Sequence, residues 1–292
     1  MGTNPRDFLA AVGLLRILAR TNGSVRLGFA DDGAYTADLT NVEADEVLVR
    51  IMHDAESEAG PRPWRLKYDK AEKRGAKAVF DLKAPPEAFR AFLFSVLGSW
   101  MTGEPDGVAY AASFGTDVAV DGKGNTKPTA FHFTAANQQF LDTVEKTRAS
   151  VDREWIKAAL FNGHTNRSGP NLRWDTGADR KYALMANDPN EDGTSVNAPL
   201  EWLAFRGLPL FPVVPRGVRA ATTGVRGRSD DMQFTWPLWC IPASLSTVRS
   251  LLLVDWAARR DRVDTGIIAV CTSEIRRSAQ GFGNFGPASV GI

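Results

Sequence analysis

The stretch "NPRDFLAAVGLLRILARTNGSVRLGFADDGAYTADL", residues 4–39, holds two different periodicities side by side. Asn4 is suited to cap a helix, Pro5 to its first position, and Asp7 to the positive end of its dipole. Phe8, Val12, Leu15 and Leu18 then mark one face at helical spacing, and Leu9, Leu14 and Ile17 widen it into a helix buried on most sides. The period changes to two immediately afterwards. Val25, Leu27 and Phe29 alternate with polar residues, Asp32-Gly33 supplies a turn, and Tyr35, Ala37 and Leu39 alternate back. A buried helix followed by an antiparallel hairpin points to an α+β class.

The pattern repeats along the first half. An acidic helix is expected over about 42–58, with Leu48, Ile51, Met52 and Ala55 inward. In a second hairpin, Trp64, Leu66 and Tyr68 alternate with Arg65, Lys67 and Asp69; "KAEKRG" (70–75) forms its tip and "AKAVFDL" (76–82) its return strand. Pro86 opens the strongly apolar helix "PEAFRAFLFSVLGSWM" (86–101). Residues 103–131 read as irregular, with short strands at 109–114 and 130–133. Helices are expected from Thr134 and from Asp152, then a long loop over 165–189 and a short helix over 198–208. The strand "MQFTWPLWCIP" (232–242) is broken by Pro237; a helix over 244–260 and a strand over 265–276 follow. The fold expected is α+β, antiparallel hairpins packed with buried helices and long irregular loops. A soft boundary divides an N-terminal α+β subdomain, 1–125, from a C-terminal one, 126–292, the two sharing one core.

With 292 residues and 43% hydrophobic content, the chain can bury a substantial core. No apolar run reaches the roughly 18 residues of a membrane span, and the N-terminus lacks the pattern of a secretory signal. Cys240 and Cys271 read as reduced core thiols, so the expected location is cytoplasmic. Net charge is only +1, yet it is segregated: −8 over residues 31–58, +5 over 61–77 and +4 over 216–228. Such a chain can carry a basic contact face and an acidic partner face.

Few motifs carry bond-making chemistry. The histidines are His53, His132 and His164, none with a histidine at metal-ligand spacing, and no CxxC pair exists for zinc. "GFGNFG" (281–286) matches a dinucleotide fingerprint but has no room after it for the helix that fingerprint must open. Asp175, Asp179 and Asp188 can be read as Mg²⁺ ligands of a nuclease, or as ion-pair partners of nearby Arg and Lys. No cofactor is expected. What remains is Arg, Lys and aromatic residues on polar segments, including eight tryptophans, more than a core of this size requires. Rings beside arginines suit base stacking, and guanidinium groups suit phosphates. Three groups of nucleic-acid-binding candidates result: Arg65, Lys67, Lys73 and Arg74 on the second hairpin; Arg173, Trp174, Arg180 and Lys181 in the long loop; and Arg216, Arg219, Arg226 and Arg228 in "PRGVRAATTGVRGRS" (215–229), expected to be a mobile loop.

The opening phrase "NPRDFLAAVGLLRILAR" resembles the N-terminal helix of large-subunit and associated proteins of type I CRISPR systems, subtype I-G (formerly I-U). "HFTAANQQFLDTV", "LRWDTGADRKYAL", "GLPLFPVVP", "TTG" and "FTWPLW" resemble phrases in proteins encoded beside subtype I-G effector genes. The resemblance implies a non-catalytic subunit of an RNA-guided DNA surveillance complex. Its partners would be crRNA and target DNA, including the protospacer-adjacent motif, with the other effector subunits and the helicase-nuclease. It transfers no catalytic residue. Two alternatives stay open: a Mg²⁺-dependent nuclease of the same defence system, and an accessory protein that docks the helicase-nuclease without touching nucleic acid.

Overall fold

A computed structural model describes residues 1–56, 62–72, 75–103, 105–134, 137–163, 166–178, 195–228, 231–259, 265–277 and 283–291. Helix α1 (Pro5–Leu18) is its centre: nearly every side chain on it is buried, as its all-round apolar pattern requires. The Asn4 side chain caps it by accepting the Arg6 N–H. Strands β1 (Arg26–Phe29) and β2 (Ala37–Thr40) form the first hairpin, with Leu27 opposite Leu39. Helix α2 (Ala44–Glu56) turns Val47, Leu48, Ile51 and Ala55 inward and leaves its acidic face outside. In the second hairpin the strands run nearer to the tip than the sequence suggests, as β3 (Tyr68–Glu72) and β4 (Gly75–Val79).

Helix α3 (Pro86–Met101) has the expected bounds but is not a buried helix. Phe89, Phe92 and Val96 face the core, while Phe94 and Met101 are 74% and 83% exposed. The stretch 109–114, read as a strand, lies inside helix α4 (Asp106–Phe114). The helix buries Tyr110 and Phe114, four residues apart, against Phe205. Strands β5 (Gly115–Val120) and β6 (Thr126–Pro128) pair next, and residues 130–133 are not a strand. Helix α5 (Phe140–Ala149) starts six residues later than expected. Helix α6 (Arg153–Lys157), capped by Asp152, continues into a π-helical turn at Ala158–Asn162.

Strands β7 (Arg167–Ser168) and β8 (Ser195–Val196) make a small bridge ahead of helix α7 (Ala198–Gly207). The described part of the segment 215–229 is not a structureless loop. It forms a hairpin of β9 (Val213–Arg216) and β10 (Arg219–Thr222), then a short strand β11 (Val225–Arg226). Strand β12 (Gln233–Trp239) runs through Pro237 unbroken, with Pro237 in register opposite Val270. It survives because β11 reaches only Gln233 and Phe234, so no neighbour on that edge needs an N–H from Pro237. Helix α8 (Leu245–Leu252) follows, and β13 (Ile267–Arg277) and β14 (Gly283–Gly291) complete the antiparallel order β11-β12-β13-β14. The sequence "GNFG" is therefore strand, with Phe285 in the core.

One buried cluster runs from Phe8 on α1 to Phe285 on β14. Its aromatic part stacks Phe8 on Trp236 and Phe234 on Trp236, with Phe29 edge-on to Trp239. Seven of the eight tryptophans are buried, Trp100 being the exception, so the tryptophans build the core rather than a stacking platform. Trp174, Trp236 and Trp239 donate their indole N–H groups to the carbonyl oxygens of Phe131, Gly2 and Leu27. Cys271 is a core thiol whose pKa burial pushes up to about 12, but Cys240 is exposed. No helix among the described residues is long and apolar enough to cross a membrane.

Candidate nucleic-acid interface

The lead-in to β3 is held down by two buried residues, Trp64 and Leu66. The Trp64 ring packs edge-on to Tyr110, Trp202 and Phe205, and its indole N–H donates to Glu145 at 2.7 Å. A ring so placed cannot stack on a base. Alternation along this extended segment puts Arg65 and Lys67 outside. Both cations stand 5.9 Å from the Phe80 ring. Phe80 is fixed through its backbone: its N–H donates to Gln139, and its carbonyl accepts from Leu141 at the start of α5. Arg65 is a ridge between two clefts. One, about 420 Å³, contains Arg62, Phe80 and Glu145. The other, about 510 Å³, runs between Lys67, Tyr68 and α3. Burial, with Asp81 adding, pushes the Tyr68 phenol up to about 12, so it stays neutral and donates to the Lys83 carbonyl oxygen. Glu145 is neutralised by Arg62 and Arg148, and Asp142 pairs with Lys146.

The second basic group is at the β9–β10 turn. Arg216 and Arg219 are direct cross-strand partners, both exposed, joined by Gly217 in the left-handed region and Val218. Like charges opposite each other across a hairpin repel. A third cation adds to them, since the Lys127 ammonium donates to the Val218 carbonyl oxygen at 2.8 Å. Among the described residues none of these three has a carboxylate partner, and sequence reading missed Lys127 and Phe80 entirely. The two basic groups are tied by hydrogen bonds through Lys83 and Ala84. Tyr68 reaches the Lys83 carbonyl, and Thr126, beside Lys127, donates its N–H to the Ala84 carbonyl.

The other candidates fare differently. Trp174 is a correction: its ring is fully buried and its N–H is spent on Phe131, so it has no face for a ligand. Arg173 is half-buried with φ +65°, its N–H bound by Asn171. The described part of the long loop is ordered by the protein itself. Leu172 and Trp174 fill the core, and the Leu172 N–H donates to Glu201. Asp175 does not stand open for a metal, because both its oxygens are engaged from outside the loop. It accepts from Arg6 at 2.5 Å and from Asn4 at 2.9 Å, both at the start of α1. Arg226 pairs with Asp255, and the Arg228 N–H binds Asp231. Lys73, Arg74, Arg180, Lys181, Asp179, Asp188 and His164 lie outside the described residues.

Asp54, beside His53, is likewise committed to a partner. It binds Arg206, a fully buried guanidinium that also donates to Tyr110 at 2.6 Å. Burial alone would push the Asp106 carboxyl up, but Arg16, Arg206 and Arg20 around it hold it below the usual carboxylate range. The Arg206 and Asp175 ion pairs join distant parts of the chain and read as architecture. Among the described residues no group of three or more His, Cys, Asp or Glu side chains is placed to hold a metal ion. No protein-family model matches this chain, and no curated protein matches it.

Proposed function

We propose that this protein is a non-catalytic subunit of a type I CRISPR RNA-guided DNA surveillance complex, gripping the backbone of crRNA or target DNA. The observation that carries the nucleic-acid part is the β9–β10 tip, where Arg216, Arg219 and Lys127 converge with no carboxylate beside them among the described residues. Three cations held together against their own repulsion favour a polyanion as the missing partner. Arg65 and Lys67 over Phe80 supply a second grip, with two cations beside one aromatic ring. The assignment to a CRISPR complex rests on the resemblance of the phrases at residues 4–20, 132–144, 172–184, 207–215, 222–224 and 234–239. In such complexes guide pairing reads the sequence, and a subunit of this kind needs mainly shape and charge.

Fluorescence anisotropy with a labelled DNA duplex and a labelled RNA, at several salt concentrations, tests the grip. The triple variant Lys127→Ala/Arg216→Ala/Arg219→Ala should bind more weakly. Its log K against log salt slope should flatten by about 0.9 for every duplex phosphate that is no longer neutralised. Unchanged affinity and slope in that variant and in Arg65→Ala/Lys67→Ala would refute it. Co-purification with crRNA and effector subunits expressed from the same operon tests the CRISPR assignment separately.

A further inference from the structure

A third cleft lies elsewhere in the molecule and shares no residue with the basic groups. It is about 570 Å³, bounded by α1, the β1–β2 hairpin, α2, the π-helical turn and α7. That volume is in the usual range for ligand sites. Its floor is apolar, with Ala11 and Leu14 from α1 and Leu200 and Leu203 from α7. Phe161, 49% exposed, stands at its rim on the π-helical turn, an irregularity that recurs at functional sites.

The charged side chains described in its lining are acidic. Among the described residues the charged side chains lining it are Asp7 and Asp38, with no Lys, Arg or His; the Met1 ammonium is held 3.1 Å from Asp7. Asp31, Asp32, Glu43 and Asp45 are exposed on the hairpin and at the start of α2. The bases on adjoining elements are largely taken: Arg6 by Asp7 and Asp175, Arg50 by Glu46, Arg153 by Asp45. Lys157 is exposed on α6. Among the described residues strand β2 has a partner on one side only. β1 is flanked by β2 and by an antiparallel bridge from Leu27 to Ala243, while no strand lies on the outer edge of β2 among the described residues. Residues 36–39, four in succession around that edge, line the cleft.

We propose that this cleft is a docking site for an extended, basic segment of a partner protein. The segment adds as a strand to β2, inserts alternate apolar side chains against Leu39 and Phe161, and sets its Lys or Arg residues against Asp38 and the acidic rim. Main-chain bonds to β2 supply register, the accessible apolar side chains of the cleft supply affinity, and the acidic rim supplies selectivity for a basic sequence. The proposal is independent of nucleic-acid binding, and its test contains no nucleic acid.

The probes are two eight-residue labelled peptides, one alternating Val and Lys, the other alternating Val and Glu, titrated with the whole protein. The Lys peptide should bind and the Glu peptide should not, and raised salt should weaken the complex. Asp38 is exposed and has no structural partner among the described residues, so Asp38→Lys should leave the fold intact while weakening binding roughly tenfold. Binding of neither peptide overturns the proposal, as does equal binding of both or indifference to Asp38→Lys. Self-association of the wild type that blocks the site overturns it in favour of a second copy, and uptake of an uncharged apolar dye alone overturns it in favour of a small ligand.

Discussion

Gly13 to Ala is a substitution on which helix propensity and tertiary packing make opposite predictions. In an isolated helix the change is favourable by about 1 kcal/mol, since alanine loses less backbone entropy. In this protein α1 crosses α7 with almost no space between the backbones. A Cβ on Gly13 would lie 2.7 Å from the Gly207 nitrogen and 3.0 Å from the Leu203 carbonyl carbon, and closer still to the Leu203 oxygen. Ordinary contact begins at 3.4 Å, and the obstacles are backbone atoms, so no rotamer change makes room. The helices must separate by on the order of 1 Å, and a gap of that size forfeits a quarter to a half of the dispersion well for each contact across it. Overpacking of a core costs about 1–3 kcal/mol where side chains can yield, and more where they cannot. Set against the propensity gain, Gly13→Ala should destabilise the protein by at least about 2 kcal/mol. Gly98 on α3 provides the control, because nothing lies within 4 Å of its would-be Cβ. Gly98→Ala should be neutral or stabilising by up to about 1 kcal/mol. Urea unfolding at matched m-values reads both. If Gly13→Ala is as stable as Gly98→Ala, the close crossing of α1 and α7 is wrong.

Trp174→Ala should cost about 3–5 kcal/mol of stability, as loss of a buried aromatic does, and should leave the salt slope of nucleic-acid binding unchanged at temperatures where the variant is folded; the same urea and anisotropy measurements check it. Burial pushes the Glu201 carboxyl up to about 8, against an opposing pull from Arg6. The folded state therefore holds a proton that the unfolded state has already lost between about pH 4.5 and pH 8, and stability must fall as pH rises through that window. Glu201→Gln keeps the neutral shape, so unfolding measured at pH 5.5 and 8.5 should show a smaller fall than the wild type. An equal fall in both would assign the pH dependence to other groups.

What the sequence determined by itself is local. Asn4 and Pro5 start α1, its all-round apolar pattern buries it, and alternation at Leu27, Phe29, Ala37 and Leu39 makes the first hairpin, because capping and periodicity act over a few residues. The bounds of α3 and the α+β class were legible for the same reason. Tertiary structure decided everything that depends on who stands opposite whom. The short strand expected at 109–114 gave way to a helix in which Tyr110 and Phe114 pack on Phe205. The tryptophan beside Arg173 became core when Phe131 offered a carbonyl 43 positions away. Among the cations the decision was sharpest. Arg226 found Asp255, while Arg216 and Arg219 were set against each other, and neither outcome could be read from neighbours in the chain. A charge is free or spent according to contacts across the fold, so composition could say that basic residues were plentiful, but only the packing selected those left facing outward.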